Sequence, residues 1–250
     1  MDEITTLADW LKTSQQIVAF TGAGVSTESN IPDFRSAGGV YEHIQEKYGR
    51  EPEVLLSHRF FMQNPKTFFE YLREYLVFPD AEPNDAHRAF AALEREGKLS
   101  AVVTQNIDGL HSRAGSKTVY ELHGSVYRSY CMSCGKQYNL ESVLEASDVP
   151  RCICGGIIRP DVVLYGEGLD SEIVTGAVRA IEQADLLIVA GTSLAVYPAA
   201  GLIDYFQGKH LVLLNKSETP HDRRADLCIH AAAGVTLRAA LEKAQIKIDA

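Results

Sequence analysis

Apolar residues gather along this chain in short unbroken runs, separated by longer stretches in which they recur every three or four positions. The runs are Ile17-Val18-Ala19-Phe20, Ala101-Val102-Val103, Leu186-Leu187-Ile188-Val189-Ala190 and Leu211-Val212-Leu213-Leu214. Continuous rather than alternating apolarity marks strands covered on both faces, as in a parallel sheet. The intervening stretches predict helices near 3–14, 84–97, 171–184, 198–207 and 234–245. Asn84 is placed to cap the second of these, its side chain accepting from the unpaired N–H groups of a first turn, and Gly97 to end it.

Strand and helix alternate, which predicts an α/β fold with one doubly wound parallel sheet. Two regions break the alternation. Residues 39–80 are rich in aromatic and charged side chains and read as a helical insertion whose clearest helix begins at Pro65. Residues 125–158 carry most of the cysteines and read as a small metal-stabilised lobe, with the sheet resuming after Pro160. The expected division is a large domain of residues 1–38, 81–124 and 159–250, with a small discontinuous domain built from the helical module 39–80 and the zinc module 125–158.

Composition narrows the class. A chain of 250 residues that is 46% hydrophobic buries a full core. Its formal charge of −9 argues against a nucleic-acid partner held by a basic surface, since phosphate affinity rests on Lys and Arg. No run approaches the roughly 18 to 20 apolar residues of a membrane span. No basic segment followed by an apolar run opens the sequence, so a cytoplasmic location is expected, with a monomer as the default state.

Of five cysteines, Cys131, Cys134, Cys152 and Cys154 are clustered and Cys228 stands apart. Two close pairs, C-x-x-C and C-x-C, with glycines beside them match a tetrahedral four-thiolate zinc site. Four thiolates close the coordination sphere, so this zinc is expected to be structural. Cys228, in a short apolar stretch, reads as a buried core residue.

Several strand ends carry chemistry. After the first run comes G-A-G-V-S-T-E-S-N-I-P-D-F-R, residues 22–35. Gly22 and Gly24 suit a tight turn and close backbone approach to a ligand, and a helix start there would offer N–H groups to phosphate. The third glycine of a dinucleotide fingerprint is replaced by Thr27, so the motif alone reads more readily as an ordinary strand-to-helix turn, and it is the tail I-P-D-F-R that such a turn does not need. T-Q-N-I-D-G-L-H follows the second run, and its amide and carboxylate side chains suit a carboxamide and ribose hydroxyls, or merely a capping turn. E-L-H-G places His123 where a base near neutral pH would be useful, though one histidine proves nothing. Gly191-Thr192-Ser193 and Asn215-Lys216 follow the last two runs and suit phosphate or ribose contacts.

Taken together and in order, these motifs, with R-P-D-V-V-L-Y-G-E at 159–167 and G-T-S-L-A-V-Y-P at 191–198, resemble the sirtuin family over roughly residues 15 to 230. The resemblance implies a Rossmann-like large domain, a zinc-plus-helical small domain, and NAD meeting an acyl-lysine peptide or protein in the cleft between them. It implies that Ala23, Asp33, Phe34 and Arg35 belong to a loop over NAD. Gln105, Asn106, Ile107 and Asp108 line the ribose and nicotinamide pocket, and Thr192, Ser193 and Asn215 hold the rest. Val163, Leu164, Tyr165, Gly166 and Glu167, with Val196, clasp the substrate as an added strand.

His123 is implied to be the general base of a deacylation that yields free lysine, nicotinamide and O-acyl-ADP-ribose. Asn30 replaces the usual glycine before I-P, and Tyr165 a phenylalanine. Ala37 is the small residue also present in members that remove succinyl groups. Those members carry a tyrosine and an arginine three residues apart, a spacing that Tyr71-Leu72-Arg73-Glu74-Tyr75 lacks. Neutral acyl groups, chiefly acetyl, are therefore expected. ADP-ribosyl transfer to protein and a non-catalytic NAD-sensing module are the competing readings.

Overall fold

The computed structural model describes residues 2–33, 44 and 46–248. Six strands form an all-parallel sheet: β1 (Ile17–Thr21), β2 (Leu99–Thr104), β3 (Val119–Glu121), β7 (Leu186–Ala190), β8 (His210–Leu214) and β9 (Leu227–Ile229). Their spatial order is β3-β2-β1-β7-β8-β9. Counting along this sheet alone, that is the 3-2-1-4-5-6 order of a dinucleotide-binding fold, reversing direction between β1 and β7. All five positions of both β1 and β7 are buried, as their unbroken apolar runs require.

Helices cover both faces. The helices Glu3–Thr13, Asp85–Arg95 and Ala233–Ala244 pack on one side through Leu7, Leu11, Phe90, Leu237 and Leu241. The helix Ser171–Gln183 and a 3-10 segment, Ala199–Tyr205, cover the other through Ala177, Ile181, Leu202 and Ile203. Asn84 caps its helix as expected, accepting from Ala86 N at 2.9 Å, and Gly97 follows the helix end with φ +71°. The stretch 198–207 winds as 3-10 rather than α-helix, with Pro198 at its start.

A second sheet is antiparallel, in the order β5 (Gln137–Asn139), β4 (Gly124–Cys131), β6 (Ile158–Val162). This corrects one expectation. The chain after Pro160 does not re-enter the large sheet; β6 pairs with β4, and the parallel sheet resumes only at Leu186. An apolar segment ending in Val162 reads alike in either sheet, and only pairing decides.

The helical insertion and the cysteine lobe share one apolar cluster. Phe60, Phe61, Phe68, Phe69 and Leu72 pack with Val126, Leu140, Val143 and Ile158. The helix Pro65–Tyr75 contributes most of the rings, and Phe61, Phe68 and Phe69 meet edge to face at 4.8 to 6.1 Å. Arg73, on the same helix, donates to Val143 O at 3.1 Å and Asp148 O at 2.7 Å, fastening the insertion to the cysteine lobe. No helix among the described residues is long and apolar enough to cross a membrane.

Candidate active site

A cleft of about 510 Å³ lies at the carboxyl ends of the parallel strands, where the strand order reverses. Every site residue expected from the sequence and lying among the described residues, the cysteines apart, lines it. Phe34 and Arg35 lie outside the described residues, as does Ala37.

The floor is a contact between two loops. After β1 the chain winds through a 3-10 segment, Ala23–Ser29, where a helix start was expected. Gly24 N donates to Gly191 O at 2.8 Å. A Cβ on Gly24 would sit 2.8 Å from Gly191 Cα, and one on Gly191 would sit 2.2 Å from Val25 N. Only glycine on both sides permits this approach. Gln105 Nε2 donates to Thr192 Oγ1 at 3.1 Å, tying the loop after β2 to the loop after β7. Asn30 takes φ +62°, the left-handed conformation that asparagine tolerates.

The loop after β2 is a closed polar network. Asn106 Nδ2 donates to Ser26 Oγ at 3.1 Å, and Ser26 Oγ donates to Asp108 Oδ2 at 2.6 Å. Leu110 N donates to Asp108 Oδ1 at 3.0 Å. Burial pushes the Asp108 carboxyl up, opposed by the Ser26 and Leu110 hydrogen bonds. A carboxylate has about four acceptor positions, so Asp108 retains capacity for a ligand amide. Ser26 was not singled out from the sequence, although it stands inside the glycine motif that flagged its neighbours.

His123 follows β3, with Leu122 N donating to Thr104 O at 2.9 Å. Its Nδ1 donates to Gln105 O at 2.9 Å. A carbonyl can only accept, so Nδ1 carries the proton and Nε2 keeps its lone pair. Burial lowers the pKa of the ring, against the contrary pull of the Gln105 carbonyl. The result is a neutral imidazole with a basic nitrogen in the cleft. Gly124 explains the H-G dipeptide: φ is +74°, and a Cβ there would lie 1.9 Å from Asp161 O.

The far wall is the loop 163–167. Val163 N donates to His123 O at 3.0 Å. Tyr165 N donates to Leu56 O and Tyr165 O accepts from His58 N, at 2.9 and 3.0 Å, so its backbone is already paired to the helical insertion. Glu167 lines the cleft, yet its carboxylate is turned inward. It accepts from Arg159 Nη1 and Nη2 at 2.7 and 3.0 Å, from Leu164 N at 2.8 Å, and pairs with His58 Nδ1 at 2.7 Å. These contacts, Arg159 first, hold its carboxyl down at about 2, overcoming burial. Glu167 is thus a brace for the loop, and Arg159 is the brace's buried half.

On the remaining sides stand Tyr75, Leu76 and Phe78, from the end of the helical insertion, and Ala231, Ala232 and Ala233 at the start of the last helix. Nothing in the sequence pointed to them, because an apolar residue facing a cleft reads like one facing a core.

The four expected metal ligands lie away from this cleft. Their Sγ atoms are all within 4.8 Å of one another, with Cys131–Cys154 at 3.4 Å and Cys134–Cys152 at 3.7 Å. A tetrahedron with metal–sulfur bonds of about 2.3 Å has edges of about 3.8 Å, so the four fit a zinc ion. Cys228 is only half-buried, donating to Asp222 O at 3.4 Å at the sheet edge, rather than sitting in the core.

The Sir2 family model matches residues 22–198. A relative from Clostridium acetobutylicum, named NAD-dependent protein deacetylase, is 56% identical over 95% of this chain and 97% of its own length. One of the same name from Cutibacterium acnes is 54% identical over 93% and 95%. Among solved structures, a Sir2 protein with a p53 peptide and NAD+ superposes with a TM-score of 0.86 at 40% identity, covering 98% of this chain and all 100% of the other. A Sir2 complex with 2'-O-acetyl-ADP-ribose and deacetylated p53 peptide gives 0.84 at 39% identity, covering 97% and 99%.

Proposed function

The chain belongs to the Sir2 family, and we infer that it is an NAD-dependent protein deacetylase in which His123 is the general base. The observation that carries the assignment of the base is its tautomer. Nδ1 is occupied by Gln105 O, which leaves Nε2 facing the cleft as a proton acceptor that is neutral at neutral pH.

NAD, when bound, supplies the ribose carbon that receives the acyl oxygen as nicotinamide departs. The protein's part is to bind, orient and take a proton. The glycine floor (Gly22, Gly24, Gly191) brings backbone close to the dinucleotide, with Thr192, Ser193, Asn215 and Lys216 toward its far end. Asn106 and Asp108, locked through Ser26, orient the carboxamide. His123 Nε2 would take the proton of a ribose hydroxyl, freeing that oxygen to bond to the acyl carbon, and one water would complete the break from the lysine nitrogen. The apolar side formed by Ile107, Val126, Leu76 and Phe78 keeps water from the reacting atoms. The peptide backbone runs past Gly166 and Val196, since Tyr165 is already paired.

Acetyl and other small neutral acyl groups are the preferred cargo. Arg73 does not line the cleft, and its guanidinium donates to Val143 O and Asp148 O. Tyr71 is fully buried in the apolar cluster. Neither meets an acidic acyl chain. On this reading the parallel sheet belongs to the NAD-holding domain and the three-stranded sheet to the zinc lobe, where the ion ties the strand ends of β4 and β6. The thiolates suit a reducing cytoplasm. Incubation with NAD and an acetyl-lysine peptide should yield free lysine, nicotinamide and O-acetyl-ADP-ribose by mass spectrometry. Absence of the last product across a panel of acyl peptides overturns the reading.

A further inference from the structure

Two histidines lie in the large sheet's helix-covered side, away from the reacting atoms. His87 is fully buried and His111 is 2% exposed, and their ring centroids are 4.7 Å apart. His111 Nε2 is 2.9 Å from Thr21 Oγ1, and Thr21 Oγ1 donates to Thr104 Oγ1 at 2.9 Å. A hydroxyl has one proton. If Thr21 gives its proton to Thr104, His111 Nε2 must be the donor to Thr21, and His111 Nδ1 is left with a bare lone pair. The opposite tautomer would bury an unpartnered N–H instead, and a buried orphan N–H is the rarer and costlier defect. His87 accepts from Asn84 N through Nδ1, at 3.3 Å, so its own proton is on Nε2. The two ring atoms without partners are therefore an N–H on His87 and a lone pair on His111, on adjacent rings. Burial holds both rings neutral, His111 at about 3 and His87 well below the usual range, and so fixes the donor pattern across working pH.

The other end of this chain of contacts is the catalytic base. Thr104 Oγ1 accepts from Asn106 N at 3.0 Å. That N–H belongs to the same peptide unit as the Gln105 carbonyl, which accepts from His123 Nδ1 at 2.9 Å. A peptide unit is planar, so holding its N–H aims its C=O. Thr21 O also accepts from Gln105 N, and Thr104 O from Leu122 N, at 2.9 Å each. Thr21 and Thr104 thus grip both flanks of the peptide that orients His123.

We propose that His111 is a positioning residue for deacylation: through Thr21 and Thr104 it fixes the Gln105–Asn106 peptide, whose carbonyl selects the tautomer and heading of His123. The proposal rests on His123 being the base, and its test is chosen to separate the two.

Nitrogen NMR of histidine-labelled protein without ligands reads the tautomer of His123 directly, whatever the activity, with His123→Gln giving the assignment. Thr104→Val keeps shape and deletes the hydroxyl, while Thr104→Ser restores it. His111→Leu removes the donor, while His111→Gln places an amide N–H near the position of Nε2. In Thr104→Val and His111→Leu, His123 should pass from the single Nδ1–H form to a mixture. Acyl transfer should fall on the order of tenfold or more, as for a misaimed catalytic group, with nicotinamide exchange changed by less than about threefold. Thr104→Ser and His111→Gln should regain most of both signatures. Unchanged His123 resonances in Thr104→Val overturn the proposal, as does an equal loss of exchange and transfer that the conservative variants do not repair. If His111→Leu fails to fold, Thr21→Val interrupts the same relay and is read by the same two measurements. An altered tautomer with no effect of His123→Gln on transfer would instead sink His123 as the base and leave the relay standing.

Discussion

His123 Nδ1 donates to the backbone carbonyl of Gln105 at 2.9 Å, and this contact decides which imidazole nitrogen meets the substrate. Because burial lowers the pKa of the ring, the base is in its working form before pH reaches the ordinary histidine value of about 6.5. The acid limb of kcat should therefore lie below that value. A limb centred above it in a pH profile would show that another group controls the step.

Replacing the base separates two stages of the reaction. His123→Ala should lower acyl transfer by about a hundredfold or more, in line with loss of a general base. Exchange of labelled nicotinamide into NAD, which precedes the proton transfer, should persist in part. Steady-state product analysis and isotope exchange on one preparation make the comparison.

The Arg159–Glu167 pair offers a test of the loop brace. Arg159 is 5% exposed and loses its ion-pair partner, with two hydrogen bonds, in Glu167→Ala. The variant should lose about 3 kcal/mol in urea unfolding, the low end for breaking a buried pair because the Glu167 side chain is 22% exposed. The KM for peptide should rise more than that for NAD. Equal changes in both constants would mean that the loop does not bear on peptide alone.

Acyl preference follows from what Arg73 is already doing. Acetyl-lysine peptide should be turned over faster than succinyl-lysine peptide of the same sequence, and Arg73→Met should reduce stability without altering that ratio. A succinyl preference in the unaltered protein counts directly against the reading.

Acid should weaken the native state through its buried histidines. His87 and His111 are held neutral when folded but titrate near 6.5 when unfolded, so below that pH the unfolded chain binds more protons. Stability from this source is complete above about 6.5 and is lost as pH falls, by about 1.4 kcal/mol per pH unit for each ring, until His111 itself titrates at about 3. His123 adds to the slope with the same sign. Glu167, held at about 2, adds its part only below the ordinary carboxylate range. Urea midpoints at pH 7.5 and 5.5 should lie closer together in His87→Gln/His111→Gln than in the parent; identical slopes would sink this account.

Much of the fold could be read from the sequence because β1, β2, β7 and β8 are covered on both faces and leave unbroken apolar runs. β3 and β9 are edge strands of three residues, too short to leave an apolar run of their own. The cysteine site was legible because ligand spacing is local. The cleft was legible only as motifs in order, since each strand end taken singly resembles an ordinary turn. Arg159, Thr21, His87 and His111 were passed over as potential site-shaping residues for a different reason. Arg159 meets Glu167 only eight positions on, but nothing in the local pattern marks the pair as buried; for Thr21 and His111 the partners are 90 positions apart, and no window reaches that far.

The contact between Gly24 and Gly191 has a consequence for inheritance as well as for shape. With a Cβ on either residue the two loops would have to part, and the floor of the cleft would open with them. Neither position can drift while the other stays. Across lineages the turn after β1 and the turn after β7 should therefore travel as one character, and a chimera that draws them from scaffolds with different loop spacing should lose dinucleotide binding even when both halves are well folded.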